Sequence, residues 1–119
     1  MFRFQEWKVY KDARVLRLEI EKEVLPKLPK LEIFSLSDQL RRAMNSVILN
    51  IAEGSYRKSD KDFAHFLNQS ITSLYEVVSC LDLIYDSKYI EKELHNEFLE
   101  KCENVARQIN AFSKHLYKK

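Results

Sequence analysis

Apolar residues recur at steps of three and four along most of the chain, a pattern that predicts amphipathic helices. The first helix is expected over roughly residues 5–25. Pro26 should end it, because the residue before a proline is disfavoured in the helical region. The segment LPKLPKL then predicts an extended connector. The apolar face of this first helix consists of Val9, Ala13, Leu16, Ile20 and Val24.

A second helix is predicted to begin near Ser35 or Ser37. Ser35 followed by Asp38 resembles a capping box, with Asp in place of the usual Glu. Met44 and Ile48 widen the apolar stripe of this helix, so burial on two faces is expected. The stripe itself consists of Leu36, Leu40, Ala43, Val47 and Ile51.

Two longer helices complete the pattern. Ser59 is the predicted N-cap of the third helix, and the carboxylates of Asp60 and Asp62 suit the positive end of its dipole. This helix should end near Ser87, and the fourth is expected over roughly residues 91–117. The apolar face of the third helix consists of Phe63, Phe66, Leu67, Leu74, Val77, Val78, Leu81 and Ile84. The fourth helix has the seam of a bundle, formed by Leu94, Phe98, Cys102, Val105, Ile109, Phe112 and Leu116.

Short connections between long helices favour antiparallel neighbours. The predicted fold class is therefore all-α, an up-down-up-down antiparallel four-helix bundle that forms a single domain over residues 1–119. One glycine and two prolines in 119 residues disfavour an all-β fold, which needs many turn residues. The absence of a long apolar run and of a signal-peptide pattern predicts a cytoplasmic protein without a membrane role.

The only glycine, Gly54, is predicted to lie just past the end of the second helix, which is expected to end at Glu53. A left-handed residue often follows a helix, and glycine adopts that conformation without a steric penalty. Arg57 and Lys58 come next, beside the start of the third helix. The free amides at that helix start favour anions, although Asp60 partly meets this need.

No pattern in the sequence supports an enzyme, a cofactor or a metal site. The Glu-x-x-His motif of di-iron bundles does not occur, and the three histidines are scattered. Cys80 and Cys102 lie inside apolar helical patterns and are interpreted as buried free thiols. Their expected difference in height along the bundle, about 7 Å at the helical rise per residue, disfavours a disulfide.

The net charge of +2 is small for a nucleic-acid-binding protein. In an antiparallel bundle, however, residues 18–42 and 79–100 share one end, with eleven acidic and seven basic side chains and a net charge of −4. The rest of the chain carries +6, including Arg17, Lys118 and Lys119. The opposite, basic end of the bundle is predicted to bind phosphates without sequence preference. The candidate residues are Arg3, Lys8, Lys11, Arg14, Arg57, Lys58, Lys61 and Lys114.

Aromatic side chains accompany these bases. Trp7, Tyr10 and Tyr56 are able to stack on bases. Trp7 and Tyr10 also suit a second interpretation, in which they cover the bundle end or a subunit contact.

Several motifs resemble one protein family. The opening "F…WKVY…AR" begins at Phe4, "DQLRRA" covers residues 38–43 and "NIAEG" residues 50–54. "RKS" at residues 57–59 and "F…FL" from Phe63 follow. Together they are similar to the bacterial four-helix-bundle proteins encoded within intervening sequences of 23S ribosomal RNA genes. The structural motif residues are Arg41, Arg42, Asn50, Glu53 and Gly54.

The resemblance implies a ring-shaped homo-oligomer, typically a homopentamer. It also implies kinship with accessory proteins of diversity-generating retroelements, which bind nucleic acid and a reverse transcriptase. That family usually has a proline in the second half of the second helix, where this chain has Ile48. A straighter second helix is therefore expected here. Arg41 and Arg42 cannot share a helix face, and one is expected to pair with an acid across a subunit boundary.

Two hypotheses about function remain open. The first is a non-enzymatic homo-oligomer that binds RNA or DNA through its basic end. The second is a protein-interaction scaffold or accessory subunit with no direct nucleic-acid role, suggested by the excess of apolar positions on the second and third helices.

Overall fold

Four helices account for most of residues 2–117, the part of the chain that the computed structural model describes. They are listed here with the bounds used below: α1 (Lys8–Glu19), α2 (Leu36–Ser55), α3 (Asp60–Asp86) and α4 (Lys92–Tyr117). Shorter helical turns precede α1 and link it to α2, and the described residues include no strand. The predicted all-α class is confirmed.

Hydrogen bonds between neighbouring helices show that the four helices run alternately in opposite directions. Two of these bonds join the beginning of one helix to the end of the helical segment before it. The other two join the middle parts of their helices. The bonded pairs are Arg41–Glu21, Ser46–Ser73, His95–Asp82 and Gln108–Asp12. The resulting antiparallel bundle measures 46 × 23 × 21 Å and confirms the predicted topology.

The core is built from the apolar stripes of all four helices. Met44 and Ile48 are buried together with the main stripe of α2, so this helix buries two faces as expected. Leu36 and Leu94, at the ends of their stripes, are only half-buried. α2 continues through Ile48 without a break.

The first helix and its connector differ from the prediction. Trp7 has an extended backbone, so α1 begins at Lys8 after a separate 3₁₀ turn, Arg3–Glu6. Beyond α1 the chain widens into a π-helical segment, Ile20–Val24. The expected extended connector is wrong over most of its length, because 3₁₀ turns occupy Leu25–Lys27 and Lys30–Glu32.

The predicted capping box at the start of α2 is wrong. The side chain of Ser35 does not accept a hydrogen bond from the helix amides; its hydroxyl donates to the carboxylate of Glu32 instead. Glu32 also lies 3.5 Å from the amide nitrogen of Leu36. At the start of α3 the prediction is confirmed, since Ser59 accepts a hydrogen bond from the amide of Asp62 at 3.1 Å.

The prediction for Gly54 is also wrong. Gly54 lies inside α2 and is buried, and its φ angle is not positive. A Cβ at this position would lie 2.9 Å from Cδ1 of Phe63 and 3.0 Å from Cβ of Phe66. The missing side chain therefore allows α3 to approach α2 closely. The positive φ angle among the described residues, 65°, belongs to Lys88 between α3 and α4.

Both cysteines are free and buried, as predicted. Burial raises the pKa of the Cys80 thiol to about 11 and that of Cys102 to about 12. None of the helices described over residues 2–117 combines the length and apolar character needed to cross a membrane.

Candidate nucleic-acid interface

Three aromatic rings close the end of the bundle where α1 and α3 begin and α4 ends. The indole of Trp7 stacks on Phe63, with centroids 5.6 Å apart, and meets Phe112 edge-on at 4.9 Å. Phe63 and Phe112 also touch each other, at 5.2 Å. This cluster brings together three segments that are distant in sequence.

The three segments, residues 2–17, 53–66 and 103–117, are called the basic end below. They contain ten basic and six acidic side chains, a net charge of +4. All eight candidate phosphate-binding residues lie in them. Lys118 and Lys119, which the sequence analysis assigned to the same end, lie outside the described residues.

Two candidate lysines on α1 already have acidic neighbours. The ammonium of Lys8 lies 2.6 Å from Asp12, and that of Lys11 lies 3.5 Å from Glu6. The bond from Lys8, together with one from the amide of Gln108, lowers the pKa of the Asp12 carboxyl. Exposed pairs of this type contribute at most about 1 kcal/mol, so a phosphate can compete for either lysine.

Two candidate arginines, Arg3 in the turn before α1 and Arg14 within α1, lie near aromatic rings. The guanidinium carbon of Arg3 is 6.0 Å from the ring centre of Trp7, and that of Arg14 is 5.6 Å from the ring centre of Tyr10. Both arginines are exposed. Contacts with an aromatic face hold a guanidinium without neutralising its charge.

Arg57, Lys58 and Lys61 lie at the corner between α2 and α3 and are exposed. The guanidinium carbon of Arg57 is 4.3 Å from the ring centre of Phe66. Among residues 2–117, these three side chains and Lys114 form none of the ion pairs found within 4.0 Å. Their charges are therefore available to a partner.

The aromatic residues proposed for base stacking have different positions. Trp7 belongs to the closing cluster, and Tyr10 is half-buried with its ring edge-on to Phe4 at 4.9 Å. These two rings cover the bundle end, as the second interpretation expected. Tyr56 is 84% exposed. Phe66 was predicted only as a core residue, and its contact with Arg57 depends on tertiary packing that no local pattern signals.

The family-motif residues divide between the two ends of the bundle. Arg41 donates to Glu21 at 2.8 Å, and Arg42 lies 3.7 Å from Asp38. Both partners belong to the same chain, and the pairing predicted across a subunit boundary stays a prediction. Near the basic end, Asn50 donates to the carbonyl of Ser46 at 2.9 Å.

Within the same motif, Glu53 is exposed and Gly54 is buried against Phe63. At this end the motif residue that acts in packing between helices is Gly54. Among the side chains described between positions 2 and 117, no group of three or more His, Cys, Asp or Glu is placed to hold a metal ion.

The sequence model of the 23S rRNA-intervening sequence protein family matches residues 5–111 of the chain. The chain belongs to this family. The match contains α1, α2 and α3 and most of α4, so it extends across both ends of the bundle. The function of the family is uncharacterised.

A solved structure with the family fold is similar to this chain. It is the crystal structure of a protein of unknown function from the S23 ribosomal protein family of Bacteroides thetaiotaomicron. The TM-score is 0.80 at 21% identity, and the alignment covers 89% of this chain and 98% of the other. At this identity the similarity supports the fold alone. A search of curated proteins finds no match.

Proposed function

We propose that this member of the intervening-sequence protein family is a non-enzymatic homo-oligomer that binds the phosphates of RNA or DNA through its basic end. The observation that carries the proposal is the position of Arg57, Lys58, Lys61 and Lys114. The antiparallel packing brings them to one pole, where they are exposed and have no acidic partner among the described residues.

Phosphate contacts of this type release counterions, so the affinity falls steeply with salt, with a slope of about 0.9 per phosphate neutralised on duplex DNA. One such pole binds weakly because its net charge is small. Several copies in one assembly would bind a single strand or duplex together, and avidity would raise the affinity without any new contact. Homo-oligomerisation is therefore part of the proposal.

Exposed apolar side chains support self-association. The groove between α1 and α2 exposes Leu18 at 60% and Leu49 at 61%, and it is flanked by Arg14 and Arg17. The outer face of α3 exposes Tyr75, at 71%, and carries acidic residues towards its end. A basic apolar groove and an acidic apolar face on different sides of one molecule suit head-to-tail contacts, which generate rings when the rotation closes.

Light scattering with Leu18→Arg tests this part of the proposal. The variant adds a third positive charge to a groove that already contains two arginines, and we expect it to lower the mass of the assembly. Leu31→Arg, at a residue 77% exposed near the other end, is the matched control and should leave the mass unchanged. A monomeric wild-type protein at high concentration would contradict the proposed assembly, whose expected copy number is five by resemblance.

The burial of the two thiols agrees with a binding role rather than a catalytic one. The two thiols are buried with raised pKa values, which keeps them protonated and poorly nucleophilic at neutral pH. The proposal assigns no catalytic step to any residue. It rests on exposed cations, which act by attracting an anionic ligand.

The decisive experiment is fluorescence anisotropy with labelled RNA and DNA over a salt series. We expect binding at low salt that weakens as salt rises. The double variant Arg57→Ala with Lys58→Ala should weaken it further. Lys27→Ala with Lys30→Ala, which removes two exposed lysines at the other end, is the control of equal charge. No binding at low salt, or equal losses in the two double variants, would remove the proposal.

The alternative role, a scaffold for a protein partner, is favoured by a different observation. The connector before α2 exposes Leu31 at 77%, Ile33 at 46% and Phe34 at 94%, and these residues lie far from the basic end. A protein partner recovered after nuclease treatment, and lost with Phe34→Ser but not with the Arg57 and Lys58 double variant, would favour this role.

A further inference from the structure

The corner between α2 and α3 presents an aromatic ring on a well-ordered backbone. Tyr56 follows the last residue of α2, and its amide donates to the carbonyl of Glu53 at 3.2 Å. The amide of Arg57 donates to the carbonyl of Gly54 at 3.1 Å. Tyr56 is nevertheless 84% exposed, so its ring is accessible to a ligand.

The neighbouring guanidinium is held in place by packing. Arg57 lies 4.3 Å above the ring of Phe66, inside the range of a favourable cation–π contact. Phe66 can occupy this position because Gly54 has no Cβ, which would approach Cβ of Phe66 to 3.0 Å. A guanidinium is planar and has two faces. Arg57 is exposed beside Phe66, so its guanidinium remains accessible to a ligand.

The charge at this corner is balanced. Residues 53–62 contain three basic side chains and the three carboxylates of Glu53, Asp60 and Asp62. Net charge alone therefore does not distinguish this corner, although none of its three cations forms an ion pair among residues 2–117. What distinguishes it is a pair of planar groups on consecutive exposed residues, one aromatic and one cationic, followed by Lys58, which has no ion-pair partner among the described residues.

We propose that Tyr56 and Arg57 form a stacking platform for unpaired bases, so that the ligand of the basic end is a single-stranded nucleic acid. This inference rests on the proposed function and specifies its ligand. Aromatic rings and guanidinium planes stack on bases that are not already stacked within a duplex. Lys58 and Lys61, on the same corner, are placed to contact the adjoining phosphates.

The experiment compares three labelled ligands of equal length by anisotropy: a single strand, an abasic strand with the same phosphates, and a blunt duplex. The single strand should bind the wild-type protein most tightly. Tyr56→Ala should weaken binding of the single strand about tenfold, and Tyr56→Phe should preserve it, because stacking needs the ring and not the hydroxyl. Binding of the abasic strand should not change in either variant.

Phe34→Ala is the matched control, since Phe34 is 94% exposed in the connector before α2, far from the corner. It should leave all three affinities unchanged. Ribose and deoxyribose versions of the single strand distinguish RNA from DNA as the ligand. The platform is supported if Tyr56→Ala weakens binding of the single strand, whether the RNA strand binds more tightly than the DNA strand or the two bind equally.

Three results would overturn the platform. If Tyr56→Ala weakens binding of the abasic strand as much as that of the single strand, the ring does not act through bases. If the duplex binds as tightly as the single strand and Tyr56→Ala changes neither, the ligand is not selected by stacking. If Tyr56→Ala changes the mass of the assembly, Tyr56 is an interface residue. Failure of all three ligands to bind would overturn the proposed function itself.

Discussion

The two ends of the bundle are closed by different interactions. At the basic end, the rings of Trp7, Phe63 and Phe112 pack together. At the opposite end, polar bonds link the helices to the connectors. Tyr89, between α3 and α4, donates to Glu32 at 2.8 Å, and Arg41 donates to Glu21 at the same distance.

The two ends also differ in net charge, since the basic end carries +4 whereas residues 18–42 and 79–100 carry −4. Where aromatic packing closes the end, cations such as Lys58 and Lys114 need no partner within the chain. Where polar bonds close it, Arg41 and Glu32 are already engaged. The comparison predicts that substitutions at the aromatic end will mainly change stability through packing, and those at the opposite end through charge and pH.

The largest expected effect follows removal of the central ring of the aromatic cluster. Phe63 is 8% exposed, and Phe63→Ala should lower the free energy of unfolding by about 3–4 kcal/mol, because it leaves a cavity between Trp7 and Phe112. Denaturant unfolding measures this loss. Phe34→Ala, at a ring 94% exposed, should change stability by less than about 0.5 kcal/mol. Similar losses in both variants would contradict a packed closure of this end.

A smaller loss is expected when the close approach of α3 to α2 is blocked. Gly54→Ala places a methyl group 2.9 Å from the ring of Phe63. We expect a net loss of about 1–2 kcal/mol, because overpacking outweighs the gain in helix propensity. Thermal or denaturant unfolding tests this, and a more stable Gly54→Ala variant would contradict the packing role of this glycine.

The starts of α2 and α3 provide a further comparison. Ser59→Ala should cost about 1 kcal/mol, because its hydroxyl accepts a bond from an amide of α3. Ser35→Ala should cost less, because Ser35 accepts none from α2. Denaturant unfolding of the two variants ranks them. Equal losses would indicate that Ser35 caps α2 in solution.

The smallest effect concerns pH at the opposite end. Hydrogen bonds from Ser35, and then from Tyr89, hold the pKa of Glu32 below its ordinary value of 4.5. A carboxyl with a lowered pKa in the folded protein contributes stability above pH 4.5, and this is lost as pH falls through the folded pKa. Glu32→Gln should therefore reduce the loss of stability on acidification below pH 4.5.

The control for this pH experiment is Glu100→Gln, which removes an exposed carboxylate in the middle of α4. Its stability should fall with acidification as steeply as that of the wild-type protein. Parallel pH curves for the wild-type protein and Glu32→Gln would contradict a stabilising role for the Glu32 carboxylate.

The sequence predicted the helices well because their signals are local. The spacing of Leu40, Val47 and Ile51 identifies the buried face of α2, and Ser59 followed by two aspartates marks the start of α3. Short connections then leave antiparallel packing as the simplest arrangement. The same reasoning failed at Ser35, because a carboxylate three residues earlier in the chain competes for its hydroxyl.

The candidate site was predicted in part. The alternation of helix directions places Lys8, Lys58 and Lys114 at one end, and this follows from helix order alone. The sequence does not reveal which lysines are already paired, because the partner carboxylate of each depends on side-chain geometry. Lys8 and Lys11 pair with acids in the same segment, whereas Lys58 and Lys61 form no ion pair among residues 2–117, although Asp60 lies between them in the chain.

The sequence by itself determined four amphipathic helices, their order and the buried state of Cys80 and Cys102, because each depends on periodicity along a single helix. Tertiary structure alone decided that Gly54 permits a close helix contact, that Trp7 belongs to the closing cluster, and that Arg57 rests on Phe66. These features depend on distances between side chains on different helices, and such distances are set only when the helices pack.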